Sequence, residues 1–200
     1  MATKISASIP GLPRTRAALT YATKLHRHQR REMDGAPFIE HPLEVASLLY
    51  AAGAPDHLIA AGLLHDVIEK TPATGFDLRR RFGSNIASLV LAVSEDAHIH
   101  GYAERKGALR HQAVEAGDEA LMLFAADKVS KVRELRVEAG RPGRGRGSFA
   151  RRLAFYERCL AVLREHLPGS PLVAQLSTDL AGVRCERGTR SVDMRHRRVR

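Results

Sequence analysis

The stretch LIAAGLLHDVIEK holds the residues best suited to chemistry. His65 and Asp66 are adjacent, and Glu69 lies four residues after the first and three after the second. On a helix those spacings bring all three side chains to one face. Leu63, Leu64, Val67 and Ile68 flank them, so a polar cluster is set into apolar sequence. Burying carboxylates without partners is costly, and a bound cation would offset that cost. Neutral imidazole with carboxylates suits manganese, iron or zinc and leaves positions open for water and phosphate oxygens. An ion held there would polarise a phosphoryl group and acidify a water molecule. For a His-Asp pair standing alone, the competing reading is a surface or capping role.

Positioning such a cluster takes packed elements, and every long element of this chain reads as helix. Over 15–31, Ala18, Leu19, Ala22 and Leu25 recur at spacings of three and four. MDGAPFIEHP then reads as a loop, because Gly35, Pro37 and Pro42 interrupt regular structure. Pro42 suits the first turn of a helix over 43–52, whose buried stripe is Val45, Leu48 and Leu49. A third helix is expected over 57–69, with Asp56 as its N-cap and a stop near Thr71 and Pro72. Shorter helices follow over 77–82, 85–94 and 105–114. Helix 119–139 lines up Leu121, Phe124, Val132 and Leu135, and 149–167 forms another amphipathic helix. Between these two, GRPGRGRGS reads as a basic loop without the Lys-Ser/Thr ending of a phosphate-binding P-loop. Beyond Pro168 the periodicity fades to one short helix over 172–180.

Composition agrees with packed helices. A chain of 200 residues can bury a genuine core, and 44% hydrophobic with 27% charged residues is ordinary for a globular domain. Aromatics are only 5% and Trp is absent, so Leu, Ala, Val and Ile must fill the core. That favours helices over a sandwich or barrel. Residues Met1 to Arg14 hold no apolar stretch of the signal-peptide kind, and Pro10 and Pro13 interrupt them. No run approaches the roughly 18 apolar residues of a membrane span. Cys159 and Cys185 are too few for a disulfide framework or a thiolate metal site. The expectation is a reduced, cytoplasmic protein that does not engage a membrane.

The formal charge of +10 raises the question of nucleic acid. Half of that excess lies between Arg184 and Arg200, where seven arginines face only Glu186 and Asp193. The tail has no aromatic residue to stack on bases, so it reads as a solvated extension and nucleic acid is disfavoured as a partner. Among the histidines apart from the cluster, His26, His28, His98, His100 and His111 each read as a surface or packing residue.

Two further segments sharpen the reading. His41 precedes Pro42 in PFIEHPLEVA, and Asp127 sits in the apolar run LMLFAADKVSKV. With these in place the chain resembles the hydrolase domain of RelA/SpoT proteins and their stand-alone small alarmone hydrolase relatives, within the HD superfamily. The stretches that carry the resemblance are HRHQRREMDGAPFIEHPLEVA, AAGLLHDVIEKTPAT, FG with LVLAVSED, AERK and AADKVSKVREL, in the family's order. Several spaced blocks in order are more specific than any one of them. The resemblance implies an all-α, HD-domain helical bundle over 15–167, with an N-terminal extension (1–14) and a basic, partly flexible C-terminal extension (168–200). It implies a divalent metal, usually Mn2+, held by His41, His65, Asp66 and Asp127. Family members remove pyrophosphate from the 3′ position of guanosine tetra- and pentaphosphate, and some accept other nucleotide phosphates. A small nucleotide or phosphate ester is therefore the expected substrate.

This chain also departs from the family pattern. The usual HDxxED motif is HDVIEK, so Lys70 replaces the second acid and Glu69 must orient and deprotonate water without it. Lys70 follows Asp66 by four residues, where it could clamp a phosphate oxygen or protonate a leaving group. The family's basic pair is Arg31 and Glu32 here, and the Asn expected four residues after Asp127 is Lys131. Arg31, Lys106 of AERK and Lys131 are the expected substrate contacts, Arg31 through its guanidinium plane on a base. The plain alternative for each is a solvated charge. Two other functions compete: a non-catalytic nucleotide sensor in which Lys70 replaces the metal, and nucleic-acid binding through the arginine-rich tail.

Overall fold

The structure, a computed structural model, describes residues 12–140 and 146–197, with side chains described through Glu186. Most of the expected N-terminal extension and the centre of the GRPGRGRGS loop lie outside the described residues. The helices are α1 (Pro13–His26), α2 (Glu40–Ala51), α3 (Asp56–Leu64), α4 (Val67–Lys70), α5 (Gly75–Phe82), α6 (Ser84–Ala92), α7 (Tyr102–Glu115), α8 (Asp118–Ala139), α9 (Arg146–His166) and α10 (Pro171–Arg197). Among the described residues the one extended pairing is an isolated antiparallel bridge between Arg30 and Pro37. The fold is all-α, as the sequence implies.

Two compact units divide between Asp127 and Lys128, within α8. In the first, α1, α2 and α6 all pack on α3, and α5 packs on α6. Helix α3 is central because DHLIAAGLL is apolar around most of its circumference, and every residue from Leu58 to Leu64 is buried. Gly62 lets α2 approach closely: a Cβ there would stand 2.7 Å from Leu49 Cδ1. In the second unit α9 packs against α10. Arg152 Nη2 there donates to both carboxylate oxygens of Glu138, at 2.7 and 2.6 Å. Arg133 Nε donates to Asp179 Oδ2 at 3.2 Å, so α8 is tied to both neighbours.

Several boundaries differ from those the periodicity predicts. Helix α1 stops at His26 rather than at 31, because HRHQRR offers no apolar face and the chain turns into the Arg30–Pro37 bridge. Gly35 closes that turn at φ 74°. Asp56 is not the cap of α3, whose N-cap is Pro55. Its carboxylate instead accepts from the backbone N–H groups of Arg14 (3.0 Å) and Thr15 (2.9 Å), capping α1 from across the fold. The helix expected over 57–69 breaks after Leu64 and resumes as the short α4. Helix α5 starts two residues early through a capping box between Thr74 and Asp77. The short helix expected over 172–180 is one of 27 residues.

Candidate metal centre

The break between α3 and α4 is where the chemistry gathers. His65 and Asp66 occupy it, His41 enters from the first turn of α2, and Asp127 comes from the middle of α8. His41 is fully buried, and His65, Asp66 and Asp127 are nearly so. His41 Nε2 lies 3.1 Å from His65 Nε2, 3.3 Å from Asp127 Oδ1 and 3.6 Å from Asp66 Oδ2. His65 Nε2 is 3.6 Å from both of those carboxylate oxygens. Donor atoms bound at ~2.1 Å to one ion stand about 3.0–3.4 Å apart in octahedral or tetrahedral geometry. The 3.1 and 3.3 Å spacings fall within that range, and the three at 3.6 Å lie just above it. Among the described residues, His41, His65 and Asp127 form a cluster whose ligand atoms all lie within 4.8 Å of one another.

The tautomer of His65 supports the same fit. Its Nδ1 lies 2.8 Å from the Gly62 carbonyl oxygen, which can only accept, so Nδ1 carries the proton. Nε2 is left with a lone pair turned towards a second imidazole and two carboxylates, the orientation of a metal-ligating histidine. Burial opposes charge on His65, but the Asp66 carboxylate and the hydrogen bond and charge of Asp127 outweigh it and raise its pKa. Neighbouring carboxylates that favour a proton on His65 favour a cation there for the same reason.

Glu69 stands one turn beyond Asp66. Its Oε1 accepts a 2.7 Å hydrogen bond from the Glu95 backbone N–H, so the carboxylate is held in one orientation although the residue keeps contact with solvent. Crowding by neighbouring atoms raises its pKa, and the Asp66 and Glu95 charges add to that, against the Glu95 hydrogen bond. Lys70 does not join the cluster through any contact described: its ammonium sits 5.2 Å above the Phe38 ring centroid, and Phe38 lies 6.0 Å from the His41 ring. Arg31 is gripped by Asp34 at 3.1 and 2.5 Å and faces Glu40 at 3.4 Å. Lys106 pairs with Glu95, and Lys131 lies 3.9 Å from Glu134 on its own helix.

Of the two readings open to His26, surface or packing, the structure selects packing. The residue is 1% exposed, its ring packs on Phe38 at 4.9 Å, and its Nδ1 meets Gln29 Oε1 at 2.7 Å. Gln29 in turn donates to the Lys70 carbonyl at 2.7 Å, linking the end of α1 to the end of α4. Burial holds the His26 pKa below its ordinary value despite the Gln29 bond and the Asp66 charge, so the ring is neutral. The signal was present: Ala18, Ala22 and His26 are spaced by four along one buried face. His28, His98, His100 and His111 are not buried, as expected.

Residues 18–141 match the HD domain family. The chain is 36% identical over 121 residues to the guanosine-3′,5′-bis(diphosphate) 3′-pyrophosphohydrolase MESH1 of Homo sapiens, covering 59% of this chain and 67% of that one. It is 42% identical over 86 residues to a GTP pyrophosphokinase of Myxococcus xanthus, 43% of this chain and 11% of the other. Among solved structures it superposes on a metazoan ortholog of SpoT, described as hydrolysing ppGpp, with TM-score 0.73 and 27% identity over 88% of this chain and 96% of that one. A Listeria monocytogenes protein shares the fold at TM-score 0.67 and 24% identity, over 74% and 98% of the two chains. No described helix is long and apolar enough to cross a membrane.

Proposed function

This chain belongs to the HD domain family, and from that membership we propose a divalent-metal-dependent phosphohydrolase that removes phosphate or pyrophosphate from a small nucleotide. The observation that carries the reading is the convergence of His41, His65 and Asp127, with ligand atoms 3.1–3.6 Å apart, and of Asp66 Oδ2 at 3.6 Å from both imidazoles. We assign these four as the metal ligands and Mn2+ as the ion. When bound, the ion supplies Lewis-acid polarisation of the scissile phosphoryl group and acidifies water. Residues 15–167 form the catalytic domain in this reading, and 168–200 a basic extension.

The protein's own residues do the rest. Glu69, fixed by the Glu95 N–H, is the general base: its raised pKa brings it closer to the working pH than an ordinary carboxylate. Lys70 has its charge balanced over Phe38 and can swing to a leaving phosphate oxygen. This position also weighs against a non-catalytic sensor, because an ammonium resting on Phe38 does not stand in for the metal. Arg31, with its guanidinium plane braced by Asp34, offers a flat surface to a base. Lys106 and Lys131 offer charge to phosphate oxygens.

Guanosine tetraphosphate is the first substrate to try, since relatives are named for it. Lys70, Glu32 and Lys131 depart from the family at positions facing substrate, and they favour a nucleotide with a different phosphate arrangement. Purified, manganese-loaded protein assayed against guanosine tetraphosphate and a panel of nucleoside phosphates should release phosphate or pyrophosphate. Release equal to that of a His65→Ala, Asp66→Ala double variant on every compound would overturn the assignment.

A further inference from the structure

Beside Glu69 lies an ion cluster of which the hydrolytic reading uses Lys106 and the Glu95 backbone but not the Glu95 carboxylate. The segment between α6 and α7 begins at Val93, and its third residue, Glu95, works in two directions. Its backbone N–H holds Glu69 Oε1 at 2.7 Å. Its carboxylate accepts from Arg105 Nε at 2.6 Å through Oε2 and from Lys106 Nζ through Oε1. Arg105 Nη1 also donates to the Ile99 carbonyl at 3.0 Å, so this guanidinium braces the loop itself. Lys106 rests near the Tyr102 ring, 5.8 Å from its centroid, and its long side chain can move without breaking the loop.

The placement of these cations is unfavourable for the helix that carries them. Arg105 and Lys106 sit near the start of α7, where the helix dipole repels positive charge. An anion there is welcome, and Glu95 supplies one. Its carboxylate is held below its ordinary pKa: burial opposes ionisation, but Lys106 and Arg105 outweigh it. The Glu95, Arg105 and Lys106 side chains are only 21%, 28% and 19% exposed, so the charges are partly shielded from solvent. An ammonium donates to a carboxylate oxygen or to a phosphate oxygen with the same geometry.

We propose that Glu95 is an affinity-setting residue whose carboxylate occupies Lys106 in place of a substrate phosphate oxygen and is displaced when substrate binds. The proposal rests on the hydrolase reading, because it takes the phosphate to arrive next to Glu69. Substrate must exchange one ion pair for another at Lys106, so part of the phosphate affinity is lost to competition with the protein's own acid. The backbone N–H that holds Glu69 is independent of the side chain, which separates affinity from base positioning.

The test is Glu95→Gln in the full, manganese-loaded chain, with inorganic pyrophosphate titrated by calorimetry and KM and kcat read on whichever nucleotide is turned over. Removing the competing charge should tighten pyrophosphate binding and lower KM by about 5–10-fold, with kcat moving less than KM. Adding Lys106→Gln to that variant should abolish the gain. A purely structural ion pair would lower Tm and leave both constants unchanged or weaker, which overturns the proposal. Should Glu95→Gln fail to fold, Lys106→Gln alone decides: weaker pyrophosphate binding supports the proposal, and an unchanged Kd overturns it. Tighter pyrophosphate binding without turnover of any nucleotide removes the hydrolase reading alone. Turnover with unchanged pyrophosphate binding removes only the role of Glu95.

Discussion

The inner cluster and the charged ring around it are built on opposite principles. His41, His65 and Asp127 are buried and cluster although they come from separate parts of the chain, with Asp66 Oδ2 3.6 Å from both imidazoles. Arg31, Lys70 and Lys106 are each engaged by the protein itself: Arg31 by Asp34 and Glu40, Lys70 by Phe38, Lys106 by Glu95. A buried donor set has one solution, a cation, and tolerates little change. Peripheral cations can exchange an internal partner for a ligand, so the same framework can serve different phosphates. In the function proposed above, the centre would fix the chemistry and the edge would adjust selectivity.

The comparison can be broken most forcefully at the centre. His65→Ala or Asp127→Ala should lower kcat by about three orders of magnitude and eliminate bound manganese, measured by elemental analysis alongside turnover. Comparable activity with stoichiometric metal in either variant would undo the distinction. Glu69→Gln should cost about 10²–10⁴ in kcat while metal content stays at the wild-type level. That split would separate the base from the ligands.

Acid should act on the centre before the edge. The pKa of metal-free His65 is raised, and the imidazole must be neutral to bind an ion. Manganese affinity is therefore fully present above that raised pKa and falls as pH drops through it. Titration across a pH series reads this directly, and a flat profile would contradict it. The smallest effect belongs to the scaffold. Asp56→Ala removes the cap on α1 and should cost about 1 kcal/mol in urea unfolding. Burial opposes ionisation of Asp56, but the Thr15 and Arg14 hydrogen bonds prevail and lower its pKa. Its contribution is complete above the unfolded-state pKa and is lost as pH falls through the folded value.

The sequence made the centre legible because its residues stand in distinctive local settings. HDVIE interrupts an apolar helix, EHP opens another, and AADK sits within a third. Helical periodicity was enough for most of the core: on α2, Val45 and Leu49 are buried as expected, while Leu48 is only half-buried and Ala46 is buried beside them. It was not enough where the outcome depends on distant partners. Asp56 has the local look of a cap for α3, and only the tertiary arrangement turns it onto Arg14 and Thr15. His65 and Asp66 read as mid-helix residues, but the hydrogen bond from His65 back to Gly62 accompanies a break there. Lys70 follows Asp66 at helical spacing, and Phe38, brought in by the preceding loop, claims its charge. Glu95 carries no motif of its own, and its role emerges only when Glu69 and Lys106 meet it in space.

Crystals grown with Mn2+ and measured at the manganese absorption edge give the most direct test of the metal centre. One anomalous peak should appear per chain, about 2.0–2.3 Å from His41 Nε2, His65 Nε2, an Asp66 oxygen and an Asp127 oxygen. No peak at that point, or a metal held elsewhere with Asp127 turned away from the two imidazoles, would contradict the assignment of these four residues.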